Sequence, residues 1–152
     1  MKSLLLVFLL IISSSAIAGT IKAVSIDDFN KYLLQKKEEK LLFFYTSWCT
    51  HCKSVTLAKD LPKNKIIFIS VDSEQEAIDE FAKKMKYDTY YIEPTEEMQN
   101  LVKLSSKLGI KFMKVDKEGR VDGHLPYIVY LDSKNRVLAD DIQIESIQKY
   151  LK

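Results

Sequence analysis

Apolar positions along this chain follow two periods, and the switches between them mark out the elements. Leu41-Leu42-Phe43-Phe44-Tyr45 is an unbroken apolar run of strand length, the pattern of a strand covered on both faces. Ile66 to Val71 (IIFISV) is a second such run, rich in β-branched residues. Tyr90-Tyr91-Ile92 predicts a brief strand ended by Pro94, and Tyr127 to Leu131 (YIVYL) predicts another. Helical spacing fills the intervals. Ser25-Ile26-Asp27-Asp28 opens a helix with a capping serine and acids in its first turn. Phe29, Tyr32 and Leu33 form its apolar face, and the charged run Lys36 to Lys40 reads as its solvated end. A further helix starts at Cys49 and stops before Pro62, because the residue ahead of a proline resists the helical conformation. Ser73 and Glu76 open another, with Ala77, Ile78, Phe81 and Met85 on one face. Thr95, Glu96 and Glu97 begin a helix that carries Leu101, Val102, Leu104 and Leu108 and closes at Gly109. Asp132-Ser133-Lys134-Asn135 makes a turn, and Arg136-Val137-Leu138 returns as its hairpin partner. Ile144, Ile147 and Leu151 predict a last helix. Strands that alternate with helices, followed by a late antiparallel hairpin, define an α/β layered domain.

Length and composition narrow the class. The 152 residues suffice for one domain and are too few for two comfortable ones. With 47% hydrophobic and 29% charged residues the chain reads as globular, not disordered. A net charge of +2, from 23 basic against 21 acidic residues, is too balanced for a protein that works by neutralising nucleic-acid phosphates. Tyr87, Tyr90 and Tyr91 therefore read as packing residues, since no basic stripe accompanies them. No repeat, linker or dimerisation segment stands out after residue 19, and the expected state is a monomer.

The first residues read as an address. Met1-Lys2 is a short positive start, Leu4 to Ile12 is unbroken and apolar, and Ala16-Ile17-Ala18 is a small-residue cleavage pattern before Gly19. The apolar run is too short to span a bilayer. The expectation is a signal peptide over residues 1–18 and a domain over 19–152, exported to a periplasmic or cell-envelope location and soluble after cleavage. Thiols in such a compartment are not held reduced by cytosolic pools.

Both cysteines of the chain lie in one motif, Trp48-Cys49-Thr50-His51-Cys52, behind an apolar strand and at the start of a helix. A thiol there sits beside unpaired backbone N–H groups and the positive end of the helix dipole, which favours the thiolate of Cys49. Cys52 lies one turn on. Two intervening residues let the sulfurs close a small ring and reopen it, so that Cys49 attacks a partner's sulfur and Cys52 resolves the mixed disulfide. A static bridge between residues so close restrains little chain entropy. Half of a zinc site is a further reading of the same pair, although such sites normally carry a second ligand pair. With His124 as an imidazole ligand, the pair could serve a copper- or zinc-binding chaperone. A non-catalytic adaptor that uses only the rim of the site is the third reading.

The run Phe44-Tyr45-Thr46-Ser47-Trp48-Cys49-Thr50-His51-Cys52-Lys53 resembles the active site of the thioredoxin superfamily, and Leu125-Pro126 ahead of the strand at Tyr127 resembles its second signature. The resemblance implies a thioredoxin-like fold, a central mixed β-sheet flanked by helices. It also implies a cis bond at Pro126 beside the cysteines, and substrate binding by Trp48, Thr50, Leu125 and Pro126. The expected activity is thiol–disulfide oxidoreduction, with catalytic Cys49 and Cys52 and with protein thiol or disulfide substrates and an upstream redox partner. It needs no further cofactor or metal, because the dithiol itself carries the electrons. The long path from Val71 to Pro126, with an added helix and strand, resembles exported proteins of the TlpA/ResA type, which reduce disulfides in the envelope, often in cytochrome c biogenesis. In contrast, His51 before the second cysteine matches disulfide oxidases and isomerases, where it tunes thiolate stability. The direction of electron flow stays open between these two hints. Two departures stand out. Phe43 takes the place of the buried acid of ordinary thioredoxins, and residues 112–123 (FMKVDKEGRVDG) extend the segment before the proline as a hairpin or, by its polarity, a solvated loop.

Overall fold

A computed structural model describes residues 21–56, 62, 64–72, 75–84, 89–92, 97–115, 117–118 and 121–152. The leader expected over residues 1–18 lies outside this set, as do Ser73, Met85, Tyr87, Pro94 and the helix start at Thr95 and Glu96. The elements run β1 (Ile21–Val24), α1 (Ile26–Gln35), β2 (Lys40–Tyr45), α2 (Thr50–Thr56), β3 (Ile66–Ser70), α3 (Gln75–Lys84), β4 (Thr89–Ile92) and α4 (Glu97–Leu108). A short hairpin, β5 (Lys114–Val115) and β6 (Val121–Asp122), precedes β7 (Tyr127–Leu131) and β8 (Val137–Ala139). The chain closes on a 3-10 helix over Ile144–Tyr150, tighter than an α-helix and suited to the three-residue step from Ile144 to Ile147. No helix among the described residues is long and apolar enough to cross a membrane.

Six strands form one mixed sheet in the order β1-β4-β3-β2-β7-β8. β1, β4, β3 and β2 are mutually parallel, and β7 and β8 add antiparallel. The expected insertion is therefore real. α3 and β4 form one helix–strand unit, and β4 enters the sheet between β1 and β3. β1 was not legible in the sequence.

The unbroken apolar run of β2 is explained by cover on both faces. Leu42 and Phe44 join Phe29 and Leu33 of α1, Leu104 of α4, and Phe112. Leu41, Phe43 and Tyr45 point the other way, among Cys49, Cys52, Phe68, Ile128, Ile142 and Ile147. Alternation along one strand thus feeds two cores. Ser25 caps α1 as expected, its hydroxyl accepting the Asp28 N–H at 3.2 Å. Gly109 ends α4 at φ +68°, a conformation that a side chain disfavours.

Lys40 corrects the reading of a solvated charge run. It opens β2 and is buried, with Nζ donating to the carbonyls of Lys36 (2.7 Å) and Glu38 (3.0 Å). Burial holds its pKa below the ordinary lysine value. One of these carbonyls belongs to Lys36, the residue that caps the end of α1.

Three buried or hydrogen-bonded phenols set an alkaline limit on stability. Burial and a hydrogen bond to Asp140 push Tyr127 up to about 12. A hydrogen bond to Glu39, with burial, brings Tyr130 to about 12. Burial also raises Tyr45. Unfolded tyrosine titrates near about 10. Above that value the unfolded chain loses protons that the folded chain keeps, so stability falls as pH rises. The urea midpoint is expected to hold up to about pH 10 and to fall between about 10 and 12. A midpoint that stays level across that interval contradicts this assignment.

Candidate active site

The two cysteines lie where β2 hands over to α2. Cys49 is the residue before the first helical one, and its carbonyl accepts the Lys53 N–H at 3.2 Å, the first helical bond. Its own N–H donates to the Thr46 carbonyl at 3.2 Å and closes the turn. Cys49 Sγ accepts the Cys52 N–H at 3.1 Å. The sulfur thus stands where a serine or aspartate oxygen stands in an ordinary helix cap. This is the placement that the strand–motif–helix order predicts.

Cys49 and Cys52 are joined, with an S–S distance of 2.11 Å and Cα atoms 5.2 Å apart. Cys49 is 6% exposed and Cys52 not at all. The difference makes Cys49 the outer residue of the pair and Cys52 the inner one. Cys52 lies in the apolar cluster of Phe43, Phe68 and Ile128, and Phe43 is fully buried. The Leu125-Pro126 peptide bond is cis, and Leu125 packs against the cluster that holds both cysteines. Trp48 stands 72% exposed beside them, and Thr50 and His51 are exposed at the start of α2.

His124 takes a different place from the one the metal reading gave it. Its Nε2 lies 2.8 Å from Asp141 Oδ1, and its ring meets Tyr127 edge-on at 5.5 Å. Among the described residues no group of three or more His, Cys, Asp or Glu side chains could hold a metal ion. The cysteine pair and His124 do not form the proposed ligand set.

Two features go beyond the sequence reading. Of the two forms expected for the segment 112–123, it takes the hairpin. Its first residue, Phe112, is buried and stacks on Phe44 at 4.4 Å, and Lys114–Val115 pairs antiparallel with Val121–Asp122 as the β5–β6 hairpin. Gly123 closes that hairpin against the chain, since a Cβ there would lie 2.7 Å from the Phe112 carbonyl oxygen. Asp72 is the second. It follows β3, is 5% exposed, and accepts the Ser47 N–H at 3.0 and 2.9 Å and the Ser47 hydroxyl at 2.8 Å. A single acid after an apolar strand reads as a turn residue, and its donors lie far upstream.

The fold and the closed C-x-x-C at a helix start define a thioredoxin-like domain with the fold of thiol–disulfide oxidoreductases. The family model of thioredoxin matches residues 20–90. That match spans a little under half of the chain, and it covers the strand, the C-x-x-C and the helix that carries it. No curated protein matches it. Solved structures share the fold at low identity. The thioredoxin domain of a thiol–disulfide oxidoreductase from Bacteroides vulgatus has 18% identity and a TM-score of 0.50, covering 85% of this chain and 86% of that one. A conserved protein of unknown function from Bacteroides fragilis has 18% identity and a TM-score of 0.52, covering 79% and 85%. A thioredoxin-like protein from Bacteroides caccae has 18% identity and a TM-score of 0.50 over 75% of this chain, which spans only 39% of that protein's length.

Proposed function

We propose that this chain is an exported thiol–disulfide oxidoreductase that exchanges disulfides with protein substrates through Cys49 and Cys52. The carrying observation is the pairing of roles in one turn of helix: an outer sulfur at the cap, bonded by a backbone N–H, and an inner sulfur buried behind it. In the reducing direction the Cys49 thiolate attacks one sulfur of a client disulfide. A Cys49–client bond forms as the client's S–S bond breaks, and the other client sulfur leaves as a thiolate. Cys52, once deprotonated, attacks Cys49 Sγ. The intramolecular bond forms, the client's second sulfur leaves, and two electrons have passed to the client. The oxidising direction is the same sequence reversed. No other cofactor takes part, because the dithiol holds both electrons.

The Cys52 N–H that reaches Cys49 Sγ at 3.1 Å is also the donor that favours the thiolate after reduction. Exposed Trp48 and Thr50, with Leu125 and Pro126, form the surface on which a client chain rests. His51 adjusts thiolate stability from α2. The leader pattern over residues 1–18 supports a periplasmic or envelope location, where an upstream redox protein resets the pair and the domain works as a monomer. The inserted α3–β4 unit supports a reducing role and His51 an oxidising one. The reduction potential decides between them. A value near about −270 mV makes the protein a reductant, and one near about −120 mV an oxidant. The activity itself is read by insulin reduction with a dithiol donor. Turbidity above the donor alone is expected, and a rate equal to the donor alone contradicts the proposal.

A further inference from the structure

The buried carboxylate of Asp72 has no part in the reaction steps above, yet it is hydrogen-bonded directly to the active-site turn. Three donors converge on it. Ser47 supplies its N–H at 3.0 and 2.9 Å and its hydroxyl at 2.8 Å, and Ser70 supplies its hydroxyl at 2.8 Å. The Asp72 N–H in turn donates to Ser70 Oγ at 3.2 Å, which fixes the carboxylate from its own side. Just beneath, the Val71 N–H donates to the Tyr45 carbonyl at 2.9 Å and carries the β2–β3 pairing up to the edge of the turn. The donors to the carboxylate are neutral N–H and O–H groups. Such an arrangement suits a carboxylate that organises a backbone segment rather than one that balances a cation.

Ser47 is two residues ahead of Cys49 and lies inside the turn closed by the Cys49 N–H to Thr46 bond. Where the Ser47 peptide plane sits decides where Cys49 stands at the head of α2. That placement in turn decides whether Cys49 Sγ meets the Cys52 N–H. We propose that Asp72 is a positioning residue of this active site, holding the Ser47–Cys49 turn from just beyond the end of β3 so that Cys49 attacks in the right geometry. The Phe43 side chain, on β2, has no polar atom with which to organise the site from beneath, and the anchoring comes from the segment that follows β3 instead. The inference rests on the proposed exchange activity and adds a residue to it.

The test uses the second-order rate at which reduced Cys49 attacks a small aromatic disulfide, per folded molecule, in the full domain. Asp72→Ala leaves the Ser47 N–H and both hydroxyls without their acceptor. Its rate is expected to fall about tenfold, the size of one lost hydrogen bond. Asp72→Asn keeps one acceptor oxygen and is expected to recover most of the rate. Ser47→Ala removes only the hydroxyl bond, serves as the second variant should Asp72→Ala fail to fold, and is expected to slow attack about threefold. A purely structural Asp72 lowers the melting temperature of all three variants and leaves the rate per folded molecule unchanged, which overturns the inference. Asp72→Asn behaving like Asp72→Ala, or either variant reacting faster than the parent, also overturns it, because charge and not geometry is then what Asp72 contributes. Failure of the exchange activity itself shows separately, as a parent protein that does not attack the disulfide.

Discussion

Cys49→Ser is expected to abolish disulfide exchange, while Cys52→Ser is expected to trap it halfway. A serine hydroxyl at the cap accepts the residue-52 N–H as well as sulfur does, so the helix start survives. What is lost is the nucleophile, and the rate should fall by several orders of magnitude, the scale that follows removal of a covalent nucleophile. Cys52→Ser keeps Cys49 and its attack. With no resolving sulfur behind it, the Cys49–client bond accumulates. Incubation with a disulfide-bonded client, followed by non-reducing gel electrophoresis, should show a client-sized shift for Cys52→Ser and none for Cys49→Ser. Equal trapping by the two variants contradicts the division of roles that the burial difference between Cys49 and Cys52 supports. Neither variant should lose much stability through the bridge itself, since a loop this short restrains little unfolded-chain entropy.

Phe44→Ala is expected to cost about 3–5 kcal/mol, a large share of what a domain has. Phe44 is fully buried on the central strand β2, between Ile69 of β3 and Tyr127 of β7. It stacks on Phe112 at 4.4 Å and meets Tyr127 edge-on at 6.4 Å. Truncation removes the transfer free energy of a ring and both aromatic contacts, and leaves a cavity that a sheet hydrogen-bonded on both sides of β2 cannot close. Chemical denaturation should show a midpoint shifted to lower denaturant with the slope unchanged. A loss below about 1 kcal/mol would mean that the site collapses freely and that the packing of Phe112 on β2 is not as described. Because Phe112 leads into the β5–β6 hairpin, the variant also tests whether that extension is held by the core.

Much of this arrangement was legible in the sequence, and the parts that were not share a cause. The run Leu41–Tyr45 reads as a doubly covered strand because no polar residue interrupts it, and the motif around Cys49 reads as a strand-to-helix junction for the same local reasons. Gly109 and Ser25 announce helix ends through chemistry that acts within one turn. β1 did not announce itself. Ile21–Val24 is four residues long, alternates with a lysine, and follows directly on a leader-like segment. Its place in the sheet comes from pairing with β4, far along the chain. Phe112 opens a mostly polar segment, and only the distant Phe44 makes it a core residue. Asp72 looks like a turn acid until Ser47 is brought to it. Lys40 belongs to a charge run by sequence and to a buried strand by structure, because carbonyls at the end of α1 are within reach of its ammonium. Local periodicity and capping thus reveal elements. Contacts between residues far apart in sequence assign roles to single side chains, and no pattern along the chain carries them.

The central claim is that Cys49 and Cys52 form a redox couple whose outer sulfur does the exchanging. Equilibration of the protein in a graded series of reduced and oxidised glutathione, with acid quenching, alkylation and mapping of the modified cysteine, tests it directly. The account predicts a single two-electron transition between a joined pair and two free thiols, with Cys49 alkylated first in the reduced form and carrying any glutathione trapped on the way. A pair that keeps one state across the whole series, or one in which Cys52 reacts ahead of Cys49, contradicts it.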